Sequence, residues 1–286
     1  MKLWALSDLH VGHARNRELL SHMSPRTDDW LIVGGDVGET GDHMRWAFDL
    51  LQPRFARLLW IPGNHELWTT DERGARLGGA DKLAALCELC RERGVVSVDD
   101  PWPVWPGDGG PHTLALMALL YDYSFAPAGM DRAAAIAWAA DAGVVAADES
   151  RLDPAPFAGI AAWSAARVDD AAARLEHEAR TRPTILVNHW PLRDDLIFIP
   201  RVPRYRPWCG TAATREWHRR YGARVVVSGH LHTRRTDWID GVRFEEVSLG
   251  YPREQRPGMP ADAYLRQILP EPTACTTAPA SASPRV

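Results

Sequence analysis

The chain has 286 residues, 45% of them hydrophobic and 24% charged, with a net charge of −4. That is enough apolar material for one large core or two small ones, and the acidic balance argues against general affinity for nucleic acid or anionic membrane. No segment reaches the roughly 18 consecutive apolar residues of a membrane helix, and four Cys (Cys87, Cys90, Cys209 and Cys275) are too few for a disulfide scaffold.

The chain opens on an apolar strand, residues 2–7, rather than on a secretory leader, so a cytoplasmic protein is expected. A short helix near Asn16–Met23, a strand Trp30–Gly34, a helix over Asp42–Leu51, a strand Arg57–Ile61, a helix over Ala80–Arg93 and a short strand Val95–Val98 follow. Nearly all-apolar strands spaced by helices predict a buried parallel sheet with right-handed crossovers. Cys87 and Cys90 form a CxxC inside the helical pattern, with no second pair to complete a zinc site, and read as core residues.

Residues 99–112 read as a Pro, Gly and Trp-rich loop, and Thr113–Tyr121 as another buried strand. The Ala-rich stretch 126–180, with helical runs Asp131–Ala142 and Ala161–Ala179, interrupts the strand series and reads as an inserted helical cap. Strands return at Thr184–Val187, Arg224–Ser228, Thr233–Ile239 and Val242–Leu249, with Asp240-Gly241 as a hairpin signal. Residues 1–270 read as a single domain, and 271–286, rich in Pro, Ala, Ser and Thr without periodicity, as a disordered tail.

Five blocks at strand ends carry the chemistry: Ser7-Asp8-Leu9-His10, Gly34-Gly35-Asp36, Gly63-Asn64-His65-Glu66, Asn188-His189 and Gly229-His230-Leu231-His232. In parallel sheets reactive groups collect at the carboxyl ends of strands. As candidate ligands the blocks offer the carboxylates of Asp8 and Asp36, the Asn64 amide and five imidazoles, a set that suits transition metals rather than Mg²⁺. A carboxylate can hold two such ions roughly 3.5–4 Å apart, and the pair can turn a bridging water into hydroxide for in-line displacement at phosphorus. Whether His230 and His232 serve one ion or two is left open by their spacing.

The order D-x-H, G-D, G-N-H-E, a later H after an apolar strand, and G-H-x-H resembles the calcineurin-like metallophosphoesterase superfamily over residues 1–250. The resemblance implies an α/β fold of two mixed β-sheets packed as a sandwich and flanked by helices. It implies that Asp8, His10 and His232 bind one divalent ion, that Asn64, His189 and His230 bind the other, and that Asp36 bridges the two. The ions would be Mn²⁺, Fe²⁺/Fe³⁺ or Zn²⁺. By the same resemblance His65 is a proton donor or stabiliser of the leaving oxygen, and Glu66 supports the loop.

Weaker candidates surround this set. His13 could touch substrate from the loop after the first block, and Tyr121 could line the pocket from a strand end. Arg193, Arg201, Arg204 and Arg206, in a Pro-studded loop after His189, could hold a second anionic group. His22, His43, His112, His177 and His218 have no motif context. A helical cap over the centre suits a compact substrate, so the leading expectation is a phosphomonoesterase acting on a small soluble metabolite, with no nucleic acid or membrane partner. The alternative is a phosphodiesterase, including one for cyclic nucleotides. A non-catalytic binding module on this fold would lack ligands, and none is missing.

Overall fold

A computed structural model describes residues 1–72 and 75–272. The expected tail therefore lies, from residue 273 on, outside the described residues.

The first half builds one sheet. Strands β1 (Leu3–Leu6), β2 (Arg26–Val33) and β3 (Phe55–Trp60) run parallel, joined by helices α1 (Ala14–Ser21) and α2 (Gly41–Leu51). The short helix α3 (Asn64–Leu67), the small hairpin β4 (Thr70–Glu72) and β5 (Ala75–Leu77), and helix α4 (Gly79–Glu92) follow. A second sheet takes β6 (Val104–Trp105), β7 (His112–Leu116), β8 (Thr184–Val187), β9 (Ala223–Ser228), β10 (Thr236–Ile239) and β11 (Val242–Glu246). Between β7 and β8 lie α5 (Arg132–Ala140), α6 (Asp148–Arg151) and α7 (Ile160–Glu178), and α8 (Trp217–Arg220) precedes β9. The last strand, β12 (Arg266–Leu269), returns to the first sheet.

The strand orders are β12-β1-β2-β3 and β10-β11-β9-β8-β7-β6. The first sheet is parallel except where β12 meets β1, and the second except at its two edges, where β10 meets β11 and β6 meets β7. Both sheets are thus mixed, and their apolar faces share one buried cluster that holds Leu3, Leu31 and Leu59 with Leu114, Leu186 and Val226. At the end that carries the five blocks the sheets are tied directly: Ser7 N–H donates to Val247 at 3.1 Å and Leu249 N–H to Ser7 at 2.8 Å.

Register explains why distant blocks meet. Leu6 pairs with Val33 and Val33 with Trp60, so the loops bearing Asp8, Asp36 and Asn64 leave the sheet side by side. Val187 pairs with Val227, which sets His189 beside the loop of His230. The Asp240-Gly241 turn forms as expected, with φ of 52° and 75°, the left-handed pair a tight two-residue hairpin needs.

Three expectations change. Val95–Val98 makes only an isolated bridge from Val96 to Leu59. The strand from Thr113 ends at Leu116, because its neighbour β8 ends at Val187. Beyond that point the Asn188 side chain stands in for a strand, accepting from Leu119 N–H at 2.8 Å and donating to its carbonyl at 3.2 Å. The 126–180 segment divides in two: α7 lies on the crossover that parallel β7 and β8 require, held by Arg174 to the carbonyls of Val98 and Asp100, whereas residues 145–151 reach the strand-end site. β12, half polar and followed by Pro, carried no strand signal.

Candidate metal centre

Asp8 and His10 follow β1, Asp36 follows β2, Asn64 opens α3, His189 follows β8, and His230 and His232 follow β9. Five of these seven residues are in the left-handed region: Asp8 at φ 54°, His10 at 41°, Asp36 at 51°, His230 at 70° and His232 at 52°. Each such residue costs about 1–3 kcal/mol, so the surroundings must impose it. They do so through the backbone: Asp8 N–H donates to Gly35 at 2.8 Å, His10 N–H to Asp36 at 2.9 Å, and Gly229 N–H to His189 at 2.9 Å. Two glycines permit the closeness. A Cβ on Gly63 would meet Asp36 N at 2.6 Å, and one on Gly229 would run into Ser7 Oγ and the Asp8 carboxylate.

The donor atoms converge. Asp8, His10 and His232 offer ligand atoms within 4.8 Å of one another, as do Asp8, Asp36 and His189. His232 Nε2 lies 2.9 Å from Asp8 Oδ1 and 3.3 Å from His10 Nε2, while His189 Nε2 lies 3.5 Å from Asp36 Oδ2. The opposite end of four of these side chains is held. His189 Nδ1–H donates to Gly34 at 2.9 Å, His232 Nδ1–H to Glu254 at 2.7 Å, His230 Nε2–H to Trp208 at 3.1 Å, and the Asn64 amide to Asp148 at 3.0 Å. Such outer partners fix tautomer and ring orientation around a bound metal.

Two observations test whether the residues fit metal ions. His189 Nε2 and Asn64 Oδ1 are buried and have no hydrogen-bond partner, a costly state that a ligated cation removes. The second is charge. Burial would push Asp8 and Asp36 up, but His232 and His189 hold the Asp8 carboxyl, and His189 and His65 the Asp36 carboxyl, well below the usual carboxylate range. Against their own burial, Asp36 and Asp8 raise His189 to about 10, while burial lowers His10 and His230 to about 3. Protons on His189 and His232 thus offset two buried anions. Divalent ions would displace those protons and do the same work. The residues fit.

His65 sits at the edge of this group, Nε2 at 3.9 Å from Asp36 Oδ2. Its ring lies on Trp68 at 3.8 Å, shares a hydrogen bond with the Tyr251 hydroxyl at 3.2 Å and faces Glu39 at 3.8 Å. Glu66, buried, accepts from the N–H groups of Asp36 (2.9 Å), Val37 (2.6 Å) and Gly63 (2.9 Å), so one carboxylate knits two ligand loops. Burial and the Asp36 charge push it up to about 7. Two cavities open on either side of His65, Trp68 and Tyr251. One, about 400 Å³, holds Asp36, Asn64, His230 and His232; the other, about 520 Å³, is lined by His10, His13, His43 and Arg151.

The calcineurin-like phosphoesterase profile matches residues 1–234. The chain belongs to that family. It is 49% identical over 272 residues to the acyl-carrier-protein phosphodiesterase PptH of Mycobacterium tuberculosis, covering 94% of this chain and 84% of the relative. The crystal structure of phosphopantetheinyl hydrolase (PptH) from Mycobacterium tuberculosis superposes with a TM-score of 0.90 at 49% identity, covering 95% of this chain and 96% of the other. The chain is therefore a metal-dependent phosphoric ester hydrolase, with the two mixed sheets flanked by helices that its motifs implied.

One expectation is overturned. A small-molecule substrate does not stand beside a relative whose name gives acyl carrier protein, a protein, as what it acts on. Of the 126–180 segment, Val145, Ala147, Asp148 and Arg151 line the two cavities beside the donors. The same name favours a diester over the expected monoester. No helix among the described residues is long and apolar enough to cross a membrane.

Of the weaker candidates, His13 is exposed and borders the larger cavity. Tyr121 is fully buried, packed edge-on against Tyr123, with its hydroxyl unpaired. Arg193 grips both oxygens of Asp195 at 3.0 and 2.6 Å, Arg204 donates to Trp138 at 2.6 Å, and Arg206 donates to Asp194 at 3.3 Å. Arg201 is exposed. Sequence reasoning missed Asp148, Glu254, Tyr251 and Trp68. Asp148 sits in an Ala-rich run and Tyr251 and Glu254 follow the last motif, so only Trp68, three residues after His65, stood close enough to a block to be noticed.

Proposed function

We propose that this phosphoesterase cleaves the phosphodiester that joins a phosphopantetheinyl group to a serine of an acyl carrier protein, releasing phosphopantetheine and a free serine hydroxyl. The observation that carries the reading is the 49% identity to the acyl-carrier-protein phosphodiesterase across 94% of this chain. We read residues 1–270 as one domain in which residues 145–151 wall the centre.

In this reading Asp8, His10 and His232 would hold one ion and Asn64, His189 and His230 the other, and Asp36 would be shared by the two. Imidazole, amide and carboxylate together favour Mn²⁺, Fe²⁺/Fe³⁺ or Zn²⁺ over Mg²⁺. When bound, the ions supply positive charge against the phosphoryl oxygens and an activated water. The chain's own residues do the rest. Glu66 keeps the Asp36 and Asn64 loops in register. His65 gives a proton to the serine oxygen as the bond from phosphorus to that oxygen breaks and a bond from phosphorus to the water oxygen forms. Burial opposes a charged ring, but Asp36 and Glu39 raise His65 above the ordinary imidazole value, which keeps that proton available near neutral pH. Tyr251 and Trp68 fix the ring.

The test is holo-acyl-carrier protein incubated with enzyme and Mn²⁺ and followed by intact-protein mass spectrometry. Conversion to the apo form with release of phosphopantetheine is expected. A carrier left with phosphoserine would refute the choice of bond. An untouched carrier beside rapid hydrolysis of bis-para-nitrophenyl phosphate would refute the substrate.

A further inference from the structure

Among the described residues, six large apolar side chains are exposed: Met1, Val104, Val145, Phe198, Val202 and Trp238. Val145 and Val202 line the same cavity as Asp36, Asn64, His230 and His232. Phe198, 56% exposed, stands four positions before Val202 on the loop that follows β8. Two of the six exposed apolar side chains therefore stand at the opening that leads to the metal ligands, and Phe198, with the Arg235 guanidinium over its ring at 5.4 Å, lies on the same loop as one of them.

The loop that presents them is anchored. Arg193 is clamped on Asp195 and donates to the Arg215 carbonyl at 3.0 Å, and Arg204 lies over the Trp138 ring at 5.0 Å. From beneath, Ile197, Ile199 and Tyr205 pack on Phe125, Cys209 and Leu231. With Arg193, Arg204 and Arg206 engaged in internal contacts, the loop leaves Phe198, Arg201 and Val202 exposed. A fixed loop that leaves apolar side chains in water has the marks of a preorganised interface.

Charge states the partner's sign. Residues 196–214 contain no carboxylate, and of their three arginines Arg204 and Arg206 meet Trp138 and Asp194 while Arg201 is exposed, although the whole chain carries −4. Arg201 has no ion-pair partner among the described residues, and Arg253, which lines the same cavity with an 80% exposed side chain, meets Glu254 at 3.7 Å and lies over the Tyr251 ring at 5.1 Å. We infer that this rim, Val145, Val202 and Arg253 with Phe198 and Arg201 beside Val202 on the loop, docks the carrier protein itself through an apolar spot ringed by acidic side chains next to its modified serine. The inference rests on the reading given under Proposed function. A serine whose oxygen reaches the ions brings its own protein surface onto this rim, which a small diester does not.

Steady-state kinetics on holo-acyl-carrier protein and on bis-para-nitrophenyl phosphate, in parallel, test it. Phe198→Asp should raise KM for the carrier about 10-fold or more, as loss of a central apolar anchor does, with turnover of the small diester within about 2-fold of wild type because no contact to the ions changes. Arg201→Glu should raise carrier KM about 3–10-fold and flatten its dependence on salt. Phe198→Ala, which adds no charge, should show a smaller rise and guards against a misfolded aspartate variant. Unchanged carrier KM in all three variants overturns the docking surface alone, since wild type still cleaves the carrier. A wild type that cleaves only the small diester fails the reading beneath it, and the docking surface with it. A dimer in sedimentation that Phe198→Asp dissolves also overturns the inference, because the rim would then be covered by a second copy.

Discussion

Replacing Asp148 by alanine separates the orientation of a ligand from the ligand itself. Asp148 is 1% exposed, and one of its oxygens accepts both from the Asn64 amide at 3.0 Å and from the Trp68 indole at 2.7 Å. The first bond aims Asn64 Oδ1, which has no other partner, into the centre. A hydrogen bond to a charged acceptor contributes about 1.5–3 kcal/mol. Removing an outer partner of a metal ligand typically costs about 10–100-fold in affinity, which at about 1.4 kcal/mol per decade is the same range. Asp148→Ala should therefore weaken one of two Mn²⁺ sites about 10–100-fold and leave the site formed by Asp8, His10 and His232 intact. Calorimetric titration of metal-stripped protein resolves the two. Excess Mn²⁺ should refill the weak site without full recovery of kcat, because Trp68, on which His65 rests at 3.8 Å, has lost its anchor too. Asp148→Asn keeps the accepting oxygen and should stay close to wild type. Two sites of unaltered affinity in Asp148→Ala would refute the reasoning.

Other perturbations bear on the same centre and its support. Glu66→Ala removes the acceptor for three buried N–H groups and should lower stability by about 3–5 kcal/mol, read from denaturant midpoints, with Glu66→Gln closer to wild type. Chelation should abolish turnover and lower the thermal midpoint, because ions at about 100 times their Kd add roughly 2.7 kcal/mol; Mn²⁺ should restore both, and an unmoved midpoint would speak against metal-compensated Asp8 and Asp36. Burial pushes the Cys87 thiol up to about 12 and raises Cys90 as well, so neither should react with iodoacetamide at pH 8 until the protein unfolds. Rapid labelling of the native protein, followed by peptide mapping, would contradict their place in the core.

The seven proposed ligands were legible because each sits at the end of a strand that an apolar run announces, and aligned register then brings Asp8, Asp36 and Asn64 together. Their left-handed backbone was not legible, since Asp8 and His10 are held there by N–H bonds to Gly35 and Asp36, far away in the chain. The apolar run from Thr113 to Tyr121 read as one strand because period alone does not separate a buried strand from buried coil. Helix propensity in 126–180 was plain. What it could not convey is that parallel β7 and β8 demand a long crossover, so that α7 serves the sheet and only residues 145–151 serve the centre.

The arginines carry the sharper lesson. In a Pro-studded loop beside a ligand they invited an anion-binding role, yet Arg193, Arg204 and Arg206 turn inward to Asp195, Trp138 and Asp194. Their contribution is to hold Phe198 and Arg201 in place, which makes the loop a matter of shape before it is a matter of charge. Monoester and diester make the same demands on two ions and a proton donor. They differ in what must fit beyond the leaving oxygen, and that is decided at the rim, by side chains that no metal motif contains.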